Sequence, residues 1–583
     1  MASKNKNGIK YISPEIPPVT FPAIEGESYE ALTPDTLDLA ERADYGIHCA
    51  TNIADPEADY EIWWHALLNR KPPVLVHDFH DLHIQFKFQE ALPLLRSITG
   101  NTSKPEVDQA WAEALLRMQG EDGLTYMPIK GRPWARFNAE WLNEEGWEQG
   151  DQLGAMVCNG GLIGVMGLYF QLSGDELWKQ RGRRLVDRMA QLVGYKDDYA
   201  YLSVLCVLPG AELTPDMPMI NPENTGEASG SVAGWIINGL CRLYQPTGYE
   251  PALDLAGKLS TYLMKHAGCY DVDGRFLGIP HTHQHTRPIS GLLEYALIEQ
   301  NEEMIEFCRK SYEYAKTACG NDTIGFFPAT PGPDATMENA TIQNVCWHPA
   351  EGCTIADMVA LSIKLSVAGV GDYWDDADRY LRNHFAEMQM LRTDWVNRVP
   401  PELPTDVWVR PEFETANRAM ERNIGACMSM ATPNDFVGHP YYYDDRPPVD
   451  HLFLMHCCTG NYLRAIWYAW DNILDYNDGK LRINLLLNRA SAWADVASYI
   501  PYEGQVDVTM KERCSVSIRI PEWVQPAETT CLVGGQPRQL GWDGRYAQIG
   551  DVNAGDAISL IFPISERDVG QVPVSVETEH RLE

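Results

Sequence analysis

Leu168-Tyr-Phe-Gln-Leu-Ser-Gly174 is followed at once by Leu177-Trp-Lys-Gln-Arg-Gly-Arg-Arg-Leu-Val186, and a second copy of this arrangement follows later in the chain. The second copy reads Leu243-Tyr-Gln-Pro-Thr-Gly248 and then Leu253-Asp-Leu-Ala-Gly-Lys-Leu259. In each copy an apolar helix ends in Leu-Tyr, a Ser/Thr-Gly turn stops it, and a second amphipathic helix returns. The spacing between copies is about 75 residues, which indicates a repeated helical hairpin.

Two fainter copies follow, one at 293–298 before 302–315 and one at 358–368 before 371–381. A helical hairpin cannot bury its apolar face alone, so repeated hairpins must stack into an open solenoid or a closed toroid. The stretches between these repeats are irregular and rich in His and aromatic residues, which suits a toroid with a central cleft. We therefore predict an (α/α)6 barrel over residues 46–477.

The hydrophobic pattern changes after Asn477-Asp-Gly479, where apolar residues begin to alternate with polar ones and β-branched residues become frequent. Turn signals such as Gly534-Gly535 separate these segments. They predict an antiparallel β-sandwich over residues 478–583, so the fold class is mainly α with a C-terminal β domain. Residues 1–45 are rich in Pro and acidic residues, and we interpret them as an N-terminal arm.

Composition excludes several classes of function. The 583 residues carry 47 Lys and Arg against 81 Asp and Glu, a formal charge of −34, which disfavours nucleic acids and anionic membranes. The N-terminus lacks an apolar leader segment, and no stretch of about 18 uninterrupted apolar residues follows. The 14 cysteines are too sparse for a disulfide-stapled domain. We expect a cytoplasmic protein without a membrane partner.

The strongest chemical constellation is Glu351-Gly-Cys353 together with His456-Cys457-Cys458-Thr-Gly-Asn461. Three thiolates and one carboxylate would form a soft, four-coordinate site that selects Zn²⁺ over Mg²⁺ or Ca²⁺. The alternative is that the cysteines are buried small hydrophobic residues and that Glu351 caps a helix beginning at Thr354. Spacing alone does not decide between the two, because Glu-x-Cys is less specific than paired Cys-x-x-Cys motifs.

The run Ala350-Glu-Gly-Cys-Thr-Ile-Ala-Asp-Met358, the later Gly371-Asp-Tyr-Trp-Asp-Asp-Ala-Asp-Arg-Tyr-Leu381 and the Cys-Cys pair resemble the β-L-arabinofuranosidases of glycoside hydrolase family 127. Ser517-Ile-Arg-Ile-Pro-Glu-Trp523 is similar to that family's Arg-x-Pro-x-Trp strand. The resemblance covers residues 150–525. Where many members have Glu-Thr-Cys this chain has Glu-Gly-Cys, which leaves the sugar preference open.

The resemblance implies a zinc ion held by Glu351, Cys353, Cys457 and Cys458, with Cys457 as the nucleophile. It also implies an upstream glutamate as acid/base, for which Glu338 is the candidate. A retaining glycosidase needs a nucleophile on one face of the sugar and an acid on the side of the leaving group, and a zinc-held thiolate would replace the usual carboxylate nucleophile.

Histidine and tyrosine clusters are candidates for substrate binding. His281, His283 and His285 would line the cleft and hydrogen-bond sugar hydroxyls, as a histidine from a comparable loop does in the resembling family; a second metal site or a surface loop are the alternatives. His77 and His80 either bind metal or line the cleft from an early helix. Tyr442 lies in an aromatic run that suits stacking on a sugar face or ordinary loop packing.

The sequence thus predicts a zinc-dependent, retaining exo-glycosidase with a cysteine nucleophile, acting on a β-L-arabinofuranoside or a related unusual sugar. Its partner would be a glycoside or oligosaccharide, and a homodimer is left open. Three alternatives remain: an (α/α)-barrel lyase or epimerase acting on uronides, a non-catalytic sugar-binding protein, and a protein with a closed, structural zinc site.

Overall fold

The computed structural model describes residues 8–68, 70–78, 80–135, 150–212, 219, 228–278, 281–329, 351–398, 413–428 and 453–566. Its helices are α1 Leu39–Asn52, α2 His80–Thr99, α3 Glu106–Met118, α4 Met156–Ser173, α5 Glu176–Gln191, α6 Ala228–Thr247, α7 Glu250–Lys265, α8 Thr282–Ile298, α9 Glu302–Ala318, α10 Gly352–Val367, α11 Trp374–Tyr380, α12 Ala386–Met388, α13 Ala419–Arg422 and α14 His456–Asp471. A π-helical segment, Leu381–Phe385, joins α11 to α12.

The strands are β1 Ala54–Asp55, β2 Glu61–Ile62, β3 His65–Leu67, β4 Val74–Val76, β5 Met127–Pro128, β6 Gln152–Ala155, β7 Val193–Lys196, β8 Tyr199–Leu202, β9 Cys206–Val207, β10 Glu414–Thr415, β11 Phe453–Met455, β12 Leu474–Asn477, β13 Lys480–Ile483, β14 Ala494–Ser498, β15 Gln505–Met510, β16 Cys514–Arg519, β17 Thr530–Val533, β18 Gln536–Pro537, β19 Gly541–Asp543, β20 Tyr546–Val552 and β21 Ala557–Ile561. The strands before residue 474 are short, and those after it form the C-terminal sheets.

Six of the described helices close a ring. Around the ring, α2 packs on α4, α4 on α6, α6 on α8, α8 on α10, α10 on α14, and α14 on α2 again. An outer helix follows each of five inner ones and runs back along it, namely α3, α5, α7, α9 and α11, and α1 packs on the sixth, α14. The predicted (α/α)6 barrel is therefore confirmed, and so are the four helical hairpins read from the repeats.

The hairpin turns explain why the repeats could be recognised from the glycines in the sequence. Gly174 and Gly248 adopt left-handed backbone conformations, with φ of 66° and 61°, directly after α4 and α6. A glycine in this conformation ends a helix without steric cost, which lets the chain reverse.

Helix α4 also explains a feature that would otherwise suggest a membrane span. Among the described helices, Met156–Ser173 alone is long and apolar enough to cross a bilayer. In this fold 67% of that stretch is buried, because α4 belongs to the inner ring and packs on helices at both sides. A helix that is apolar all round is what such a position requires.

The C-terminal domain is built from two five-stranded sheets, in the orders β12-β13-β16-β20-β19 and β14-β15-β21-β17-β18. Each has its own alternating apolar face, and the two faces share a hydrophobic core that is separate from that of the barrel. One detail of the prediction is wrong: β13 and β16 pair in parallel. The chain between them crosses to the second sheet through β14 and β15 before it returns, so these two neighbours run in the same direction.

The N-terminal segment joins the two domains. The Glu27 N–H donates to Ile98 O of the barrel at 3.0 Å, while the Glu30 N–H donates to Asp495 Oδ2 of the sandwich at 2.9 Å. Helix α1 begins at Leu39, inside the segment predicted as an arm, and strand β12 begins before residue 478. The domain boundaries at 45 and 477 therefore stay approximate predictions.

Ring closure depends on backbone contact between α4 and α6. A Cβ on Gly239 would lie 1.9 Å from Gly160 O, so neither helix could keep its place with a larger residue there. We expect Gly239→Ala to lower the free energy of unfolding by about 2 kcal/mol, because the added methyl group overpacks this contact. Chemical denaturation followed by tryptophan fluorescence would measure it.

Gly164 supplies the matched control on the same helix pair, because a Cβ there would meet its nearest atom at an ordinary 3.4 Å. Gly164→Ala should leave stability unchanged or raise it by up to about 1 kcal/mol through the better helix propensity of Ala. Equal unfolding midpoints for the two variants would contradict the proposed role of the Gly160–Gly239 contact.

Candidate active site

The predicted ligands Glu351, Cys353, Cys457 and Cys458 lie at one end of the ring. The first turns of α8, α10 and α14 and the second turn of α2 meet there. The residues before α8, α10 and α14, His281, Glu351 and Met455, are all in extended conformation, so each helix starts abruptly at the site. Helix N-termini carry partial positive charge and free N–H groups, which favours anionic groups at this end.

Three of the four predicted ligands form one group. The ligand atoms of Glu351, Cys353 and Cys458 all lie within 4.8 Å of one another, and all three residues are buried. The two sulfur atoms of Cys353 and Cys458 are 3.6 Å apart and belong to free thiols. A buried set of two sulfurs and one carboxylate can hold a metal ion, and its softness favours a thiophilic one.

Glu351 stands at the N-cap of α10, but its side chain makes no hydrogen bond to the helix backbone. Its carboxylate accepts hydrogen bonds from Thr354 Oγ1 and from His281 Nε2 instead, the latter at 3.0 Å. Burial acts to raise the pKa of Glu351, but the His281 charge and hydrogen bond outweigh it and hold the pKa below its ordinary value. The capping alternative is therefore wrong for the side chain, which is aimed at the cysteines as an anion.

The backbone of Glu351 is held by a chain of hydrogen bonds that runs through Phe327 to His384. Its N–H donates to Phe327 O at 3.2 Å, and the Phe327 N–H donates to Nδ1 of His384 at 3.2 Å. His384 can accept at Nδ1 because it is neutral: burial lowers its pKa to about 3. His384 lies in the π-helical segment, a rare conformation that proteins use mostly near functional sites.

Cys353 is oriented by an amide. Asn461 Nδ2 donates to Cys353 Sγ at 3.0 Å, while Arg464 donates to Asn461 Oδ1. Arg464 is in turn paired with Glu90 on α2 at 2.7 Å. Because the guanidinium has only donors, it fixes which end of the Asn461 amide faces the sulfur.

Cys457 borders the three-residue group but has a different partner. Lys87 Nζ of α2 donates to Cys457 Sγ at 2.9 Å, and Lys87 is 3% exposed. Burial acts to lower the pKa of Lys87, but the charges of Cys457 and Cys353 outweigh it and hold the pKa above its ordinary value. The Lys87 charge acts to lower the pKa of the Cys457 thiol, but the hydrogen bond with Cys353 and burial outweigh it and hold that pKa well above its ordinary value.

The structure treats the predicted histidines differently. His281 contacts Glu351, and His283 donates from Nδ1 to Asp357 Oδ2 at 2.7 Å, leaving Nε2 3.5 Å from Asn461 Nδ2. Both lie at the cysteine group. His285 does not, because its two ring nitrogens face backbone carbonyls of residues 277 and 281 and its ring stacks on Phe276. This placement favours a structural role for His285 over the predicted contact with sugar.

The side chain of His77 is also held by contacts within the protein. Its ring is stacked between Trp63, at 3.6 Å, and Trp134, at 4.5 Å, and Nε2 donates to Asp55 at 3.0 Å. At 3% exposure it presents little surface to a ligand, so the predicted substrate contact is not favoured. His80 begins α2, but its side chain is not among those described. The predicted acid/base Glu338 and the predicted stacking residue Tyr442 lie outside the described residues.

Sequence reasoning missed several residues of this site. Lys87 stands between Phe86 and Phe88 in a helix that contributes much of its length to the core, and a cation between two core residues is a usable signal. Asn461 and Asp357 each follow a predicted cysteine by one helical turn, which puts them on the same helix face. Cys427 is the fourth thiol nearby: its sulfur occupies the space that a side chain at residue 352 would take.

No protein-family model matches the sequence, and no curated protein matches it. Solved structures are similar in fold. A β-L-arabinofuranosidase of family GH127 from Geobacillus stearothermophilus T6 is 16% identical, with a TM-score of 0.53 over 93% of this chain and 78% of its own. A second GH127 β-arabinofuranosidase is 14% identical, with a TM-score of 0.54 over 90% and 76%.

The chain has the fold of the GH127 β-L-arabinofuranosidases. A further similar structure, described as a glycoside hydrolase, is 13% identical with a TM-score of 0.55 over 90% of this chain and 76% of its own. The resemblance predicted from short motifs is thus confirmed for the GH127 fold. Identities this low fix the fold alone, because one fold can host several chemistries.

The three-residue group predicts one tightly held metal ion per chain. Cys353→Ser should weaken metal binding at least about a hundredfold, because a hydroxyl is a poorer donor to a soft ion and the remaining ligands are left poorly held. Elemental analysis of the purified protein and competition with a chromogenic chelator would measure it.

Cys308→Ser is the matched control, since Cys308 is also a buried free thiol but hydrogen-bonds to Ile289 O and lies outside the group. It should keep the full metal content. A metal-free wild type, or equal metal loss in both variants, would rule out this metal site.

Proposed function

We propose that this protein is a glycoside hydrolase that acts on β-L-arabinofuranosides or a related unusual sugar with retention of anomeric configuration. Cys457 would be the nucleophile and Glu338 the acid/base. The observation that supports this most directly is the Cys457 sulfur, which sits beside a buried ammonium and borders a buried Glu-Cys-Cys group. A glycan or glycoside would be the partner of this site.

The donor set fits zinc. A tetrahedral zinc with two bonds to sulfur of about 2.3 Å sets those sulfurs about 3.8 Å apart. The Cys353–Cys458 sulfur separation of 3.6 Å is close to this distance. Glu351, Cys353 and Cys458 would hold the ion, and Cys457 would be the fourth ligand. When bound, zinc keeps its sulfur ligands ionised at neutral pH. That is needed here, because burial raises the pKa of the Cys353 thiol well above its ordinary value.

Lys87 gives Cys457 a role that differs from that of the other two cysteines. Its hydrogen bond points the sulfur of Cys457, while Asn461 performs the same task for Cys353. Cys457 is also half-buried, whereas Cys353 and Cys458 are buried. A nucleophile must reach the substrate, so this difference in exposure supports Cys457 as the attacking residue.

The reaction would take two steps. The Cys457 thiolate attacks the anomeric carbon, the bond from that carbon to the aglycone oxygen breaks, and Glu338 gives its proton to this oxygen. The sugar is then bound to Cys457 as a thioglycoside. A water molecule next attacks the same carbon and gives a proton to the Glu338 carboxylate, and the carbon–sulfur bond breaks. Two inversions return the original configuration and the thiolate.

The site around the cysteines would hold the nucleophile in line during these steps. His281 keeps Glu351 turned toward the cysteines, and His283, through Asp357 and Asn461, buttresses Cys353 from the other side. Positioning of this kind compensates for the lower nucleophilicity of a thiolate that is shared with a cation. We propose that His281 also faces the sugar hydroxyls, whereas both ring nitrogens of His283 are already paired with Asp357 and Asn461.

Replacing Glu338 tests the acid/base. Glu338→Gln should lower kcat/KM at least about a hundredfold for a methyl glycoside, whose leaving group needs a proton. The loss should be much smaller for a dinitrophenyl glycoside, whose leaving group departs as an anion. Asp334→Asn is the control, because Asp334 lies four residues away in the same stretch. If Asp334→Asn shows the leaving-group dependence and Glu338→Gln does not, the assignment moves to Asp334.

Trapping tests the nucleophile. An electrophilic cyclophellitol-type analogue of the β-L-arabinofuranoside configuration should add its mass to the peptide that carries Cys457, with Cys458 unlabelled. Cys457→Ser should be inactive even with metal present, since a hydroxyl is a poorer nucleophile at neutral pH. Peptide mass spectrometry and NMR of the first-formed anomer would check both points. Labelling of a carboxylate, or a product of inverted configuration, would contradict a cysteine mechanism.

A further inference from the structure

A cavity of about 530 Å³ opens at the other end of the barrel, where the C-terminal end of α14 meets the β-sandwich. Its wall includes Ser97 from the end of α2, Ser366 from the end of α10, and residues of strands β12 and β13. Its volume falls within the range of about 300–1,000 Å³ that small-molecule sites occupy. Neither the motifs nor the proposed reaction uses this cavity.

Six aromatic side chains from both domains contribute to the cavity wall: Trp374, Trp467, Trp470, Tyr476, Trp493 and Tyr546. Trp467, Tyr476 and Trp493 are half-buried, so part of each ring remains accessible. Tyr476 and Trp493 stack with ring centroids 4.5 Å apart and an interplanar angle of 12°. Each ring of this pair thus covers one face of the other, and the two rings together form a flat aromatic platform.

The remaining wall is polar and almost neutral in charge. Three carboxylates, from Glu27, Asp471 and Asp475, stand against two guanidinium groups, from Arg482 and Arg489. Glu27 and Arg489 neutralise each other with a contact of 2.6 Å. A wall of this kind suits neither a lipid nor a highly charged ligand, and the chain's formal charge of −34 disfavours anions further. Hydroxyl groups of a neutral ligand can pair with both the carboxylates and the guanidinium groups.

The cavity is distinct from the cysteine site. Cys457 is in the first turn of α14, and Asp471 is its last residue. At 1.5 Å per residue the helix separates the two by about 20 Å. One sugar ring cannot occupy both places.

We propose that this cavity binds a segment of a neutral oligosaccharide, with a sugar ring stacked on the Tyr476–Trp493 platform. Sugars present an apolar face of C–H groups and a rim of hydroxyls, which matches aromatic rings framed by carboxylate and guanidinium groups. The cavity would anchor a glycan away from the place where bonds are broken. Binding there does not depend on the proposed hydrolysis.

Affinity electrophoresis in native gels that contain soluble arabinan, galactan or xylan tests this proposal. At least one polysaccharide should retard the wild type. Trp493→Ala and Trp467→Ala should each weaken the apparent binding fivefold or more, which corresponds to about 1 kcal/mol per lost ring contact. Both variants should release p-nitrophenol from the small glycoside that the wild type cleaves at the wild-type rate, because neither residue is near Cys457.

Trp523→Ala is the matched control, since Trp523 is a sandwich tryptophan that is 37% exposed and lies outside the cavity wall. It should be retarded like the wild type. No retardation of the wild type in any of the three gels, unchanged retardation of both cavity variants, or equal loss in Trp523→Ala would overturn the proposal. Failure of glycoside hydrolysis would instead count against the proposed function alone, because the gel reads binding and not turnover.

Discussion

The closed ring of inner helices is the constraint on which the rest of the structure depends. Each inner helix must contact two neighbours at once. Where two inner helices approach each other most closely, glycine lets the backbone of one contact the backbone of the other. Gly160 and Gly239 join α4 to α6 in this way, and Gly234 and Gly291 join α6 to α8, where a Cβ on Gly291 would lie 2.4 Å from Gly234 O. Because an outer helix separates successive inner ones, the inner helices run in one direction and their N-termini meet at one end.

The convergence of the helices places positively charged side chains inside the barrel, together with groups that stabilise them. The ring of Trp235 on α6 is surrounded by three cations, with Lys87 5.2 Å, Arg287 4.0 Å and Arg464 5.1 Å from its centroid. Such contacts offset part of the cost of burying cations. Glu90 neutralises Arg464, and Lys87 has the Cys457 sulfur as its acceptor. The ring contacts, the Glu90 carboxylate and the Cys457 sulfur therefore offset part of the cost of burying three cations in the barrel interior.

The β-sandwich and the N-terminal segment act at the opposite end. There the helices present their C-termini, and the cavity between them and the sandwich is lined by aromatic rings and by Arg489, whose guanidinium lies 3.1 Å from the centroid of Trp470. Glu27 of the N-terminal segment completes this contact. The two ends of the barrel thus differ in chemistry: sulfur, imidazole and ammonium groups at one, and aromatic rings with paired charges at the other.

The sequence by itself determined the hairpin repeats and the change to strands near residue 478, because both rest on local periodicity. For the site, the spacing left two interpretations open, and the four-residue ligand set came from a family resemblance; the structure brings three of those four residues together. Only the tertiary structure decided which side chains meet. Lys87 reaches Cys457 across 370 residues of chain, and the parallel pairing of β13 with β16 skips two intervening strands. The tertiary structure also stacks His77 on Trp63 and places a ring nitrogen of His285 at a backbone carbonyl, so neither ring is left open to a ligand. Periodicity reports the face on which a residue lies, but the partner on that face is set by packing between segments that are distant in sequence.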